Sequence, residues 1–262
     1  MPKLMPVLFI GHGSPMNALE NNQFTSKWRE VASSFNAPKA ILAISAHWYI
    51  DELALSSSRQ NQTIHDFYGF PESLHKFNYP ALGNPELASR IKEILEVAGE
   101  LPEVFLNQEW GLDHGVWSIL CHMYPEANIP VIQLSIMRDK TASWHYELAR
   151  KLCKLREEGV LILASGNIVH NLRLLDWHNV RNTYPWAKKF DESISDMLIK
   201  KKHAAIINYE KLTDARLAVP SEDHFIPLLY AIGAANESDE VTLFNQAVIY
   251  GSLSMTSVIF TS

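Results

Sequence analysis

The chain has 262 residues, 47% of them hydrophobic, and a formal charge of -6 from 23 Lys and Arg against 29 Asp and Glu. That apolar content is ample for one large α/β domain or two small ones. The lack of a basic run or a basic helix face excludes an electrostatic footprint for nucleic acid or anionic membrane, so a small-molecule partner is expected.

Cys121 and Cys153 form no CxxC pair, which argues against a disulfide framework and a thiolate zinc site and fits a reducing cytoplasm. The apolar run in MPKLMPVLFIGHG is too short for a signal peptide, and no stretch approaches 18 apolar residues, so no membrane association is expected. The sequence is compatible with a monomer or a homodimer.

In chain order, MPVLFI (5–10) reads as a buried strand and runs straight into GHGSPMN (11–17). There His12 stands between two glycines, which permit positive φ and the close approach of another group. TSKWREVASSF (25–35) has helical spacing, and KAILAISAHW (39–48) is a second strand with His47 at its end. Residues 58–83 are irregular and rich in aromatics and histidine, as binding loops often are. NPELASRIKEILEVAG (84–99) is helical, and His114 in GLDHG opens another helical run. PVIQLSI (130–136) is a strand, TASWHYELARKLCKLREEG (141–159) a helix stopped by Gly159, and VLILAS (160–165) a strand followed by His170. His224 lies near a helix start after Pro220 and Ser221, and 240–260 reads as consecutive strands pairing at a sheet edge. The fold expected is a single α/β domain over 1–262, a three-layer αβα arrangement whose central sheet is mainly parallel or mixed with helices on both faces.

Ligands of open α/β sheets bind beyond the carboxyl ends of the strands. Five of the eleven histidines fall at such element ends: His12, His47, His114, His170 and His224. His75, His122, His145, His178 and His203 lie mid-helix or in polar loops and are assigned no role. No HExxH, GxGxxG after a strand, P-loop or GxSxG elbow is present, which removes zincin, Rossmann, NTPase and common α/β-hydrolase readings. Ser14 is a turn residue or substrate contact rather than a nucleophile. An imidazole-rich, thiolate-free set suits zinc, iron, copper or nickel, with iron(II) or zinc leading. Glu222 or Asp223 could add a carboxylate, as in iron sites built from two histidines and an acid.

GHGSPMN (11–17), SAHW (45–48), IHDFYGFP (64–71), WGLDHGVW (110–117), ASGNIVHN (164–171), PSEDHFIPLLYAIGA (220–234) and YGSLSM (250–255) together resemble the 4,5-DOPA dioxygenase extradiol family, within the LigB-like class III extradiol dioxygenases. The resemblance runs from about residue 5 to 258. It implies one divalent metal per chain, Fe(II) for oxygenase activity with Zn(II) able to occupy the site. By position it makes His12, His47 and His224 metal ligands, His170 a further ligand or acid/base, and His114 a contact to substrate or oxygen. The glycines beside His12 would then admit metal and substrate. The implied reaction is extradiol cleavage of a catechol by O2, converting L-DOPA to 4,5-seco-DOPA. Ser14, Trp48, His65 and Trp110, with Phe67, are candidate substrate contacts. A zinc-dependent hydrolase and a non-enzymatic metal-binding protein are the competing readings on the same residues.

Overall fold

The computed structural model describes residues 4–96 and 102–262, and the tail of the helix expected over 84–99 lies outside them. The strands described are β1 (Val7–Gly11), β2 (Ala40–Ile50), β3 (Leu53–Ser56), β4 (Val104–Asn107), β5 (Val131–Met137), β6 (Val160–Gly166), β7 (Glu240–Phe244), β8 (Val248–Ile249), β9 (Leu253–Ser254) and β10 (Ser257–Thr261). Eight form one sheet in the order β4-β3-β5-β2-β6-β1-β10-β7. Its middle, β5-β2-β6-β1, is parallel. β3 joins antiparallel to β5, and β10 and β7 close the other side antiparallel, so the sheet is mixed as expected for the 240–260 segment.

The continuous apolar runs follow from burial on both faces. Val7, Phe9, Leu42, Ile44 and Leu134 pack on one face with the helices Ala142–Leu152 and Ile226–Ala234. Leu8, Ile10, Ile41, Ala43 and Leu163 pack on the other with Trp28 of the helix Gln23–Ala32 and Trp117 of the helix His114–Met123. Each such fully buried large side chain is worth roughly 1.5–3 kcal/mol relative to exposure. The result is the three-layer αβα arrangement.

Boundaries differ from the sequence reading for local reasons. The first helix starts at Gln23 rather than Thr25, because Asn22 caps the Phe24 and Thr25 amides while the Thr25 hydroxyl accepts from the Asn22 amide. The helix of 141–159 ends at Leu152 and continues as a 3₁₀ turn, Cys153–Arg156, leaving Gly159 at φ +89° to turn into β6. β3 and β4 were not expected. Both are only four residues long; β3 is buried throughout but too short to stand out, and Phe105 and Leu106 of β4 are exposed. Residues 58–83 are irregular apart from the short helix Glu72–His75. Among the described residues no helix is long and apolar enough to cross a membrane, and both cysteines are free.

The sheet order places the carboxyl ends of β2, β6 and β1 side by side, with Ser45 opposite Ser165 and Gly11 opposite Gly166. Pairing of β2 with β5 slips between Ile44 and Tyr49. Such an irregularity re-aims side chains, and His47 lies inside it.

Candidate metal centre

His12 leaves the end of β1 with its amide still on the ladder, donating to the Gly166 carbonyl at 3.2 Å. The next turn is shaped by Met255. A Cβ on Gly11 would come within 2.7 Å of the Met255 backbone, and Gly13, at φ +66°, would strike the Met255 sulfur at 2.5 Å. The close approach that the two glycines permit is therefore that of Met255, which corrects the expectation that they admit metal and substrate. Ser14 caps the following turn by accepting from the Met16 amide at 3.2 Å, the backbone role allowed for it. His224 is drawn in by a different glycine. Its carbonyl would lie 2.2 Å from a Cβ on Gly166 and accepts from the Asn167 amide at 2.8 Å.

The rings converge. Nε2 of His12 and Nε2 of His47 are 3.2 Å apart. One ligand nitrogen from each of His12, His47 and His114 falls in a group whose members all lie within 4.8 Å of one another. The His224 ring stands outside that group, with centroids 5.3 Å from His12 and 5.1 Å from His47. His170 does not converge in the same way: it stacks flat on His224, at 3.5 Å and 6°.

What each ring does with its other nitrogen fixes its protonation. Ser165 donates its hydroxyl hydrogen to the Gly115 carbonyl at 2.6 Å, so toward His12 it can only accept, and the 3.0 Å contact is donated by His12 Nδ1. Asp66 accepts from His47 Nδ1 at 3.0 Å through one oxygen and from His114 Nδ1 at 2.9 Å through the other. Asp223 accepts from His224 Nδ1. In the neutral imidazole one nitrogen carries the proton and the other a lone pair, so all four rings turn bare Nε2 atoms away from their carboxylate or hydroxyl partners. Burial, then the neighbouring imidazoles, lowers the pKa of His12 and His224 well below the ordinary 6.5. Burial and His47 lower that of His114 against the pull of Asp66. Burial opposes charge on His47 too, but the Asp66 bond and the charges of Asp113, Asp66 and Asp223 leave its pKa raised.

Lone pairs facing one another repel unless a cation lies between them, and this donor set fits a metal ion. Two nitrogens each about 2.0–2.1 Å from a tetrahedral ion are roughly 3.3–3.4 Å apart, and the His12–His47 separation of 3.2 Å lies close to that. His224 Nε2 is sealed from solvent without a hydrogen-bond partner, a costly state that a metal relieves. Outer acceptors on each ring are the usual support of metal-binding histidine.

The other candidates are placed as follows. Glu222 accepts from the Tyr49 hydroxyl at 2.7 Å, and Asp223 stands behind His224, so the acid of a two-histidine carboxylate set becomes an outer partner. Trp48 is 1% exposed and its face is covered by Trp110, stacked at 5.2 Å and 6°, which leaves no room for a substrate ring between them. His65 Nε2 donates to the Phe77 carbonyl at 2.9 Å, within the irregular segment. Phe67 comes nearer, edge-on to His114 at 5.7 Å. His122 and His145 have local partners instead, His122 at the Asn17 carbonyl and His145 at the Tyr230 hydroxyl. A groove of about 1330 Å³ lined by Ser14, Phe70, Trp177 and Tyr250 contains none of the five site histidines, so the chemistry, not the size of the void, locates the site. Asp66 was missed. Its signal was present in HDFYGF, a carboxylate beside aromatics in the long irregular segment, but nothing local says that it meets residues 19 before and 48 after it.

An α/β sheet with neutral imidazoles gathered at its carboxyl edge defines a class, that of the metal-binding α/β enzymes. Residues 6–261 match the family model of the catalytic LigB subunit of aromatic ring-opening dioxygenase. An Escherichia coli K12 protein named 4,5-DOPA dioxygenase extradiol is 42% identical over 97% of this chain and 94% of its own. One of the same name from Beta vulgaris is 40% identical over 97% and 96%. A crystal structure of an uncharacterized Escherichia coli K12 protein superimposes with a TM-score of 0.84 at 38% identity, covering 97% of this chain and 99% of that one. The chain belongs to the LigB family of ring-opening dioxygenases, and is an oxygenase enzyme.

Proposed function

We propose that residues 1–262 form one catalytic domain that cleaves catechols with O2 at an extradiol bond, converting L-DOPA to 4,5-seco-DOPA in the cytoplasm. The substrate rests on the two relatives named for DOPA, and the compartment on the two free cysteines. The observation that carries the metal dependence is the convergence of bare Nε2 atoms, each backed by an acceptor on Nδ1.

His12, His47 and His224 hold one divalent ion, Fe(II) in the active enzyme and Zn(II) in an inactive form. His224 is preferred over His114 as third ligand because its Nε2 is sealed and has no hydrogen-bond partner, a need that an ion would meet. A bound iron supplies the electron transfer between ring and dioxygen. His170 then acts as base rather than ligand. Burial lowers its pKa to about 4, which leaves the imidazole unprotonated at neutral pH while weakening it as a base. His114, fixed by Asp66 and by the Phe67 edge, turns Nε2 toward the reacting oxygens and orients them.

Metal-stripped protein reloaded anaerobically with iron(II) or zinc(II), then given DOPA and air, tests the reading by oxygen uptake and visible absorption. Uptake with yellowing in the iron sample alone is the expected result. No uptake across a panel of catechols would overturn ring cleavage and turn the search to hydrolysis by the zinc form.

A further inference from the structure

Among the described residues, Asp66 is the one side chain that accepts a hydrogen bond from two of the converging rings. It comes from the irregular segment after β3, far from either histidine in sequence, and it accepts from His47 Nδ1, from His114 Nδ1 and from the His114 backbone amide at 3.1 Å. Both of its oxygens are engaged, each by a ring. A carboxylate accepts on both oxygens and donates on neither. While Asp66 is ionised, neither ring can carry its proton on Nε2 without breaking its bond to the carboxylate.

We infer that Asp66 is the positioning residue of the centre: by accepting from two Nδ1 atoms at once it sets the tautomer of His47 and His114 together, so that both Nε2 lone pairs face the position of the ion and its substrate. The inference rests on the metal-binding reading above and adds a residue to it. It also explains why the segment 64–71 lies where it does, since the same two bonds tie that segment to the end of β2 and to the start of the helix His114–Met123. Asn at this position has nearly the same shape but presents one acceptor and one donor. One of the two rings would then face an N–H, turn its own Nδ1 into the acceptor, and present Nε2–H to the ion.

The test uses cobalt(II) as the metal probe, bound anaerobically to the full chain and followed by its visible absorption. Asp66→Asn should weaken cobalt binding by about 10- to 100-fold, the usual effect of removing an outer partner of a metal-binding histidine, while the melting temperature of metal-free protein stays close to wild type. In a His114→Ala background two donors rather than three, His47 Nδ1 and the residue-114 backbone amide, compete for the single oxygen of the introduced amide, and the loss on adding Asp66→Asn should shrink. Equal loss in both backgrounds would mean a merely structural role and overturn the inference, as would unchanged affinity and an unchanged cobalt spectrum. Should Asp66→Asn not fold, nitrogen-15 resonances of the wild-type histidines decide: Nδ1–H tautomers at both His47 and His114 are required, and Nε2–H at either contradicts the inference. Failure of wild-type protein to bind cobalt at all would instead remove the metal reading on which the inference stands, and is distinguished because it precedes any substitution.

Discussion

The two ends of the central strands handle buried polarity in opposite ways. At the amino end, Arg156 and Asp239, both with fully buried side chains, pair at 2.7 Å, and Arg156 also donates to the Met5 carbonyl at 2.7 Å while Asp239 accepts from the Asn236 amide at 2.9 Å. Opposite charges there answer each other within the chain. At the carboxyl end the rings of His12, His47, His114 and His224 direct acceptor against acceptor, and the chain supplies no donor to separate them. The first arrangement balances its charges without a ligand, although Arg156 Nη2 and Asp239 Oδ1 have no hydrogen-bond partner. The second calls for one, and this difference separates a structural polar cluster from a functional one more reliably than burial does.

The largest expected effect breaks the amino end. Arg156→Met leaves the Asp239 carboxylate buried and unpaired, and urea unfolding should show a loss of about 3–5 kcal/mol, with metal binding retained in the protein that folds. Next, Gly166→Ala strikes the carboxyl end through packing alone. The new Cβ would overlap the His224 carbonyl at 2.2 Å. A stability loss of about 1–3 kcal/mol is expected for such overpacking, and because it shifts a proposed ligand, metal affinity should fall with it. A selective loss of stability with full affinity would show that His224 tolerates displacement.

A smaller effect concerns a histidine that has its partner already. Burial holds His145 at about 4, below its ordinary 6.5, while Nδ1 meets the Tyr230 hydroxyl at 3.1 Å. Between those two values the unfolded chain binds the proton and the folded chain does not. Stability from this group is therefore complete above pH 6.5 and is lost as pH falls toward 4. Melting temperatures across that range should fall with acid, and His145→Phe should flatten the slope; an unchanged slope would assign the acid sensitivity elsewhere.

The parts of this contrast that could be read in the sequence are those carried by local pattern. Continuous apolar runs announced β1, β2, β5 and β6, and placing histidines just after them anticipated the edge of the sheet where the rings of His12, His47 and His114 converge. Seven motif blocks then gave the family. Where contacts are long-range, the pattern was silent. Asp66 bridges His47 and His114 across the fold, Met255 fills the space beside Gly11 and Gly13, and Ser165 fixes His12 only because Gly115 takes its hydroxyl hydrogen. Trp48 and Trp110 looked like a wall for a substrate ring because aromatics near a site suggest one, but they satisfy each other. β3 and β4 escaped notice because four-residue strands are too short to leave a pattern, even though β3 is buried throughout and lies inside the sheet.

The central claim is that the bare Nε2 atoms at the carboxyl end exist to hold one ion. Metal analysis after anaerobic loading with iron(II) and removal of free metal tests it most directly, on wild type, His224→Ala and His114→Ala side by side. The account predicts one iron per chain in wild type, one in His114→Ala and little in His224→Ala. Wild-type protein that retains no iron, or a His224→Ala variant that retains as much as wild type, would contradict it.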